Sequence, residues 1–249
     1  MTIINLIRSL LFNIHFFLLT TMLIIVMLPC LFLPFYFIQM VAKIWSFILK
    51  TGMKIWLGLE VKIDGNNFLD KTVIYAVKHQ SAWETVICTS VFDMPSIVLK
   101  KELIYLPIIG LYFLKGRAIP IIRENTIESL KKIVKMAKIN LKKGSSILIF
   151  PQGTKVPLHA STKDYPYQSG IYFLYSQCNI PVIPVAHNAG LFWPKNSFLK
   201  YPNRHKTKTV TLEIMDEIPS GLDKKTFMDK LEKSIEDKTR NLIKEESDG

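Results

Sequence analysis

The stretch "TVIYAVKHQSAWETV", Thr72 to Val86, decides how this chain is read. An apolar run from Thr72 closes on Lys78 and His79, and a carboxylate, Glu84, comes five residues later. Five is the wrong spacing for one face of a single helix. It suits a strand-end histidine met by an acid from the first turn of the next helix. A carboxylate bonded to one ring nitrogen fixes the tautomer and raises the basicity of the other, which can then take a proton from a hydroxyl. A second reading stands beside it: Ser81-x-x-Glu84 is a capping box, in which Glu84 closes the helix start. Spacing alone leaves both open.

The same pattern continues outward. "SIVLK" (96–100), "AIPIIR" (118–123), "SSILIF" (145–150), "PVIPVAH" (181–187) and "VTLEIMDEI" (210–218) read as strands, as does 72–79 itself. Their continuous Val/Ile/Leu character predicts burial on both faces. "ENTIESLKKIVKMAKINLKKG" reads as a helix, with Asn125 and Glu128 as a capping box and Gly144 as the stop. A charged helix is expected from about Asp223, with "KEESDG" frayed at its end. Strands alternating with helices predict an α/β fold, a mostly parallel sheet flanked by helices.

Before this body lies a different kind of sequence. No Asp, Glu, Lys or Arg occurs from Ser9 to Ala42. A span needs about 20 apolar residues, which Ser9–Leu28 supplies, and Pro29 and Pro34 break or kink any helix beyond it. The run is too long for a signal-peptide core, and no small-residue cleavage site succeeds it. In the next segment Lys43, Lys50 and Lys54 share one helical stripe, with Trp45 and Trp56 roughly opposite. That pattern suits a helix at the lipid headgroup level, or a core helix with a solvated lysine edge. The N-terminal part is therefore an embedded helix with a flat interfacial helix behind it, or a helical hairpin dipping into one leaflet. Residues 1–59 are assigned to anchor and interfacial helix, and 60–249 to the body.

The chain carries 32 Lys plus Arg against 20 Asp plus Glu, a net +12. The balance calls for an anionic partner. With so long a charge-free start, that partner is a membrane surface or a phosphorylated substrate rather than nucleic acid. Cys30, Cys88 and Cys178 are odd in number and far apart, so they are expected to be reduced packing residues in a cytoplasm-facing body, with no metal site.

In open α/β sheets ligands bind where strands end. Three strand ends here carry polar groups: His79, Arg123, and "FPQGTK" from Phe150 to Lys155. Arg123 could be a solvent-facing arginine or a fork for phosphate. The FPQGTK turn offers Gly153 for close approach, the Thr154 hydroxyl and the Lys155 cation. No GxGxxG, Walker or GxSxG pattern is present. His15, His159 and His205 lie in an apolar run and in polar loops. His187, at a strand end, is expected in a supporting or structural role.

These segments together resemble the glycerolipid acyltransferase family, in particular its bacterial 1-acylglycerol-3-phosphate branch. Its first motif, a histidine and an acid five residues on, matches His79 and Glu84. Its second, ending in arginine, matches Gly110–Arg123. Its third matches Phe150–Lys155, its fourth matches "IPVIPV" (180–185), and "AGLFWP" looks like the alphaproteobacterial form. The resemblance implies that His79 is a general base oriented by Glu84, and that Arg123, Gln152, Gly153, Thr154 and Lys155 hold the acceptor phosphate. It implies acyl transfer from acyl-CoA or acyl carrier protein to the hydroxyl of a lysophosphatidate, giving phosphatidate, with no other cofactor. The implied place is the bacterial inner membrane, with the body at the cytoplasmic leaflet. Glycerol 3-phosphate or a lysophospholipid as acceptor, or a non-catalytic lipid binder, are the alternatives. Three residues depart from the family pattern. Glu84 replaces aspartate, Gln152 replaces glutamate, and Lys155 replaces arginine. Gln168 also stands where relatives often carry lysine.

Overall fold

A computed structural model of the chain describes residues 3–122, 127–200 and 208–247. Two helices come first, α1 (Ile3–Val26) and α2 (Phe35–Gly52). Between them a 3-10 turn, Leu28–Phe32, has Pro29 at its start, where a missing N–H costs nothing. The chain then reverses. The Trp45 indole donates to Thr20 Oγ1 at 3.1 Å, and a His15 ring nitrogen donates to the Ile48 carbonyl at 3.1 Å. Residue pairs whose numbers sum to nearly the same value mark an antiparallel hairpin. A Cβ on Gly52 would stand 2.7 Å from the His15 ring, so glycine is what admits that imidazole. α1 is long and apolar enough to cross a membrane.

The body comes next as β1 (Glu60–Asp64), β2 (Ile74–Val77), α3 (Trp83–Val91), β3 (Ser96–Lys100), α4 (Ile109–Lys115), β4 (Ile119–Ile121) and α5 (Ile127–Lys142). It continues with β5 (Ile147–Ile149), α6 (Gly170–Cys178), β6 (Val182–His187), α7 (Ala189–Phe192), β7 (Thr209–Ile214) and α8 (Lys224–Ser247). The seven strands stand in the order β1-β7-β6-β2-β5-β3-β4. All neighbours are parallel except β6 and β7. The mixed but mostly parallel α/β sheet agrees with the sequence reading. β2 sits between β5 and β6, with Ile74 opposite both Ile147 and Val182.

A parallel sheet must be covered on both faces, and the alternation along β2 shows how. Tyr75 and Val77 join a core with Phe12, Phe16, Leu49, Met53 and Leu57 of the hairpin segment, and with Trp83 and Ile87 of α3. Ile74 and Ala76 join a second core with α5, α6 and α8. The hairpin and the body thus share one core. Phe12 and Phe16 meet Trp193 edge-on at 5.5 and 5.7 Å, and the Lys200 N–H donates to Ser9 Oγ at 2.9 Å. Lys200 itself is buried. Its ammonium donates to the Ser197 and Phe198 carbonyls and lies 4.5 Å over the Trp193 ring, and burial lowers its pKa to about 8.

Three features go beyond the sequence reading. Trp45 and Trp56 have partners within the protein. Both are half-buried, Trp45 stacked on Phe16 and bonded to Thr20, Trp56 edge-on to His15, because the returning helix offers partners on that side. Residues 244–247 of the expected frayed tail continue α8, and Glu246 is buried. β1 is an additional strand, an exposed edge segment whose Lys and Asp hid its character. Of the stripe, Lys43 pairs with Asp93 at 3.3 Å and Lys54 with Glu60 at 3.9 Å, while Lys50 is half-buried.

Candidate active site

β2 ends at Val77, and its ladder continues one step as the Lys78 N–H donates to the Val185 carbonyl at 3.0 Å. His79 is the first residue free of it. Glu84, in the first turn of α3, folds back with its carboxylate fully buried. Its Oε1 accepts three hydrogen bonds: from His79 Nδ1 at 2.8 Å, from the Gln80 N–H at 2.9 Å and from the Ser81 N–H at 2.8 Å. The Trp83 N–H donates to Ser81 Oγ at 3.2 Å. Half of the capping box, the Ser81 N–H bond to Glu84, therefore meets the acid–imidazole pair at one oxygen, while Ser81 Oγ takes the Trp83 N–H in place of the Glu84 N–H. Burial pushes the Glu84 carboxyl up, but the His187 and His79 imidazoles and the Ser81 amide outweigh it and hold the group below its ordinary value.

With Nδ1–H committed to Glu84, the lone pair of His79 lies on Nε2, the nitrogen that can accept a proton. The ring stacks on Phe150 at 4.0 Å between centroids, and its side chain keeps 14% exposure, enough to be reached from one side. Behind the pair lies His187, wholly buried at the end of β6. Its Nε2–H donates to the Lys78 carbonyl at 2.8 Å, and its Nδ1 accepts from the Ala189 N–H at 3.2 Å. Both nitrogens are used only if the ring is neutral. Burial accordingly holds His187 below its ordinary value, against the pull of Glu84, whose Oε2 stands 3.7 Å away. Lys78 points to the other face of the sheet, where Glu236 of α8 takes its ammonium at 2.5 Å and the Tyr167 hydroxyl at 2.8 Å.

The FPQGTK turn is laid against the same strand end, with the Val156 N–H donating to the His79 carbonyl at 2.7 Å. Gly153 turns the chain with φ of 67°, a conformation costly for any residue with a Cβ, and its N–H donates to the Phe150 carbonyl at 2.9 Å. Thr154 and Lys155 are half-buried, and among the described residues Lys155 has no acidic partner. Gln152 is buried, a setting its motif position does not announce, and its amide N–H reaches the Tyr165 carbonyl at 3.4 Å. Gln168, exposed, bonds the Pro166 carbonyl at 3.0 Å. Arg123 and Asn125 lie outside the described residues, as does His205. Arg123 comes after β4, which is three strands from β2, or about 14 Å along the edge.

Sequence reasoning missed two supports of the site, the seating of His187 behind Glu84 and the ion pair beneath Lys78. Only the strand-end position of His187 hinted at either. On the α8 side a cleft of about 670 Å³ includes Gln80 and Leu158 in its lining. Its wall is mixed in sign, with Asp229, Glu232, Glu236 and Asp237 beside Lys233 and Arg240.

A strand-end imidazole oriented by a buried acid, beside a glycine turn whose lysine has no acidic partner among the described residues, can take a proton from a bound hydroxyl. The acyltransferase family model matches residues 60–188, more than half of the chain, and the chain belongs to that family. It is 38% identical over 154 residues to the 1-acyl-sn-glycerol-3-phosphate acyltransferase of Pseudomonas aeruginosa, covering 59% of this chain and 59% of that protein. Against the protein of the same name from Cocos nucifera it is 28% identical over 156 residues, covering 61% of this chain and 50% of the other. These alignments thus span less than two thirds of either relative. Among solved structures, the 1-acyl-sn-glycerophosphate (LPA) acyltransferase of Thermotoga maritima shares the fold, with a TM-score of 0.76 at 18% identity over 96% of this chain and 97% of that one.

Proposed function

We propose that this protein transfers a fatty acyl group from a thioester, on coenzyme A or on acyl carrier protein, to the free hydroxyl of a lysophosphatidate, giving phosphatidate. The observation that carries the reading is the 2.8 Å bond from His79 Nδ1 to a buried Glu84, which leaves Nε2 for the hydroxyl proton. As the alcohol oxygen attacks the thioester carbon, its proton passes to Nε2. The carbon–sulfur bond then breaks, and the proton goes on to the departing thiolate. Atoms and charge balance with no further cofactor. Lys155, with the Gly153 and Thr154 turn and Arg123, holds the acceptor phosphate.

The membrane enters through magnitudes. Drawing a long acyl chain into water costs on the order of 10 kcal/mol, at about 0.8 kcal/mol per methylene. One charge-assisted phosphate contact returns about 1.5–3 kcal/mol. Two or three such contacts cannot extract the lipid, so the enzyme works where the lipid lies. The antiparallel return of α2 and the shared core favour a hairpin lodged in one leaflet, with residues 60–249 as the catalytic body at the cytoplasmic side of the bacterial inner membrane. The exposed lysines Lys43 and Lys54, with Lys50, then meet headgroups.

Initial rates of the purified protein on lysophosphatidate, glycerol 3-phosphate and a lysophosphatidylcholine, each with acyl-CoA, test the acceptor. Lysophosphatidate is expected to lead. Preference for either of the others would move the reading to a different lipid hydroxyl, an alternative kept open by Gln152 and Lys155. No transfer to any acceptor, from any donor, would end it.

A further inference from the structure

α5 has a composition that neither fold nor chemistry requires. Lys131, Lys135, Lys138 and Lys142 recur at i, i+4, i+7 and i+11, and at 100° per residue they fall within a sector of about 60°. All four are exposed, and Lys132 flanks them. Among the described residues none of the four has an acid within ion-pair distance. The helix carries a single acid, Glu128, in its first turn. Like charges at i, i+4 destabilise a helix by a few tenths of a kcal/mol per pair. A solvated helix face is ordinarily mixed in sign, and this one is not.

Position narrows the partner. α5 buries Val134 and Ala137 in the core on the far side of the sheet from α1 and α2. Two layer spacings of about 10 Å separate the stripe from the hairpin, against a screening length of about 8 Å at physiological salt. A bilayer that holds the hairpin is therefore the wrong anion for these lysines. The stripe extends about 17 Å along the helix axis, longer than a single phosphate. Its first turn comes after β4, which runs parallel to β2 and so ends at the same edge of the sheet as His79.

We propose that the lysine face of α5 is the docking surface for an acidic carrier protein that presents the acyl thioester on its prosthetic arm. The proposal rests on the acyl-transfer reading above and specifies one source of the donor. The carrier sits on α5 at the aqueous face, and its arm reaches over the strand ends to His79. Rim charges of this kind act on encounter rate and salt dependence more than on the bound chemistry.

The test uses the full chain in vesicles containing lysophosphatidate, with the same acyl group supplied either as acyl-CoA or as acyl-acyl carrier protein. K131E/K135E/K138E/K142E is expected to raise KM for the carrier-borne donor about tenfold or more, while acyl-CoA kinetics stay within about twofold. The milder quadruple Lys→Gln variant, which removes repulsion and cannot harm the helix through charge, should show an intermediate loss and a flatter salt dependence. Equal loss with both donors, unchanged carrier kinetics, or weaker vesicle binding by the Glu variant would each overturn the proposal. So would a wild-type enzyme that ignores the carrier but uses acyl-CoA, an outcome that leaves the acyl-transfer reading standing. Failure with both donors would sink that reading instead.

Discussion

The turns after β2 and after β5 lie side by side at one edge of the sheet, yet they are held in different ways. In the first, the charged groups around the imidazole are held by inward contacts. Glu84 Oε1 takes three donors, His187 spends both ring nitrogens on backbone, and Lys78 is anchored to Glu236. In the second, Gln152 and Gly153 brace the backbone while Thr154 and Lys155 are left to face whatever arrives. A site that moves a proton gains from fixed geometry, whereas one that grips a mobile headgroup can tolerate an adaptable cation. Changes in the first turn should therefore fall on turnover, and changes in the second on acceptor binding.

The sharpest way to break that contrast is His79→Ala, which should lower kcat by about 10²–10⁴-fold, the usual worth of a positioned base, while vesicle association is unchanged. Turnover close to wild type would remove His79 from the chemistry. Next, Glu84→Gln keeps the shape and loses the charge. A fall in kcat of about a hundredfold with KM nearly constant is expected. Because Glu84 is held below the ordinary carboxylate range in the folded state, its contribution to stability is present above that range and lost as pH falls through its folded value. Glu84→Gln should accordingly flatten the acid limb of the stability–pH curve, as tracked by thermal melts.

A smaller effect, of the opposite kind, is expected from Lys155→Ala. KM for lysophosphatidate should rise about tenfold, the worth of one charge-assisted contact, with kcat little changed. If kcat falls instead, the two turns are one unit and the contrast fails. Smallest is Ser81→Ala, which removes the cap on the Trp83 N–H. It should cost about 1 kcal/mol, a drop in Tm of about 2–4 °C, and leave kcat alone.

Legibility in the sequence divides along the same line. The strands from 72 to 218 announce themselves because burial on both faces forces runs of Val, Ile and Leu. β1 does not, since an exposed edge strand can alternate Glu, Lys and Asp. The spacing of His79 and Glu84 is readable, but the choice between cap and catalytic partner is not, because a single oxygen serves both and spacing cannot count acceptors. The burial of Gln152 is not readable from its motif position, which says only which residues are adjacent. The turn at Pro151 and Gly153 decides which way each faces. The partners of Trp45 and Trp56 are hidden for a related reason: Thr20, Phe16 and His15 lie 25 to 41 residues away and join them only when the hairpin closes.

That closure has a practical consequence. Tyr75, Val77, Trp83 and Trp193 bury their rings and methyls against Phe12, Phe16, Leu49 and neighbouring residues of the first sixty. Expressing residues 60–249 alone should therefore give no tractable water-soluble enzyme. The fragment would present an open hydrophobic wall and collect as aggregate, whereas the whole chain remains dispersed in mild detergent.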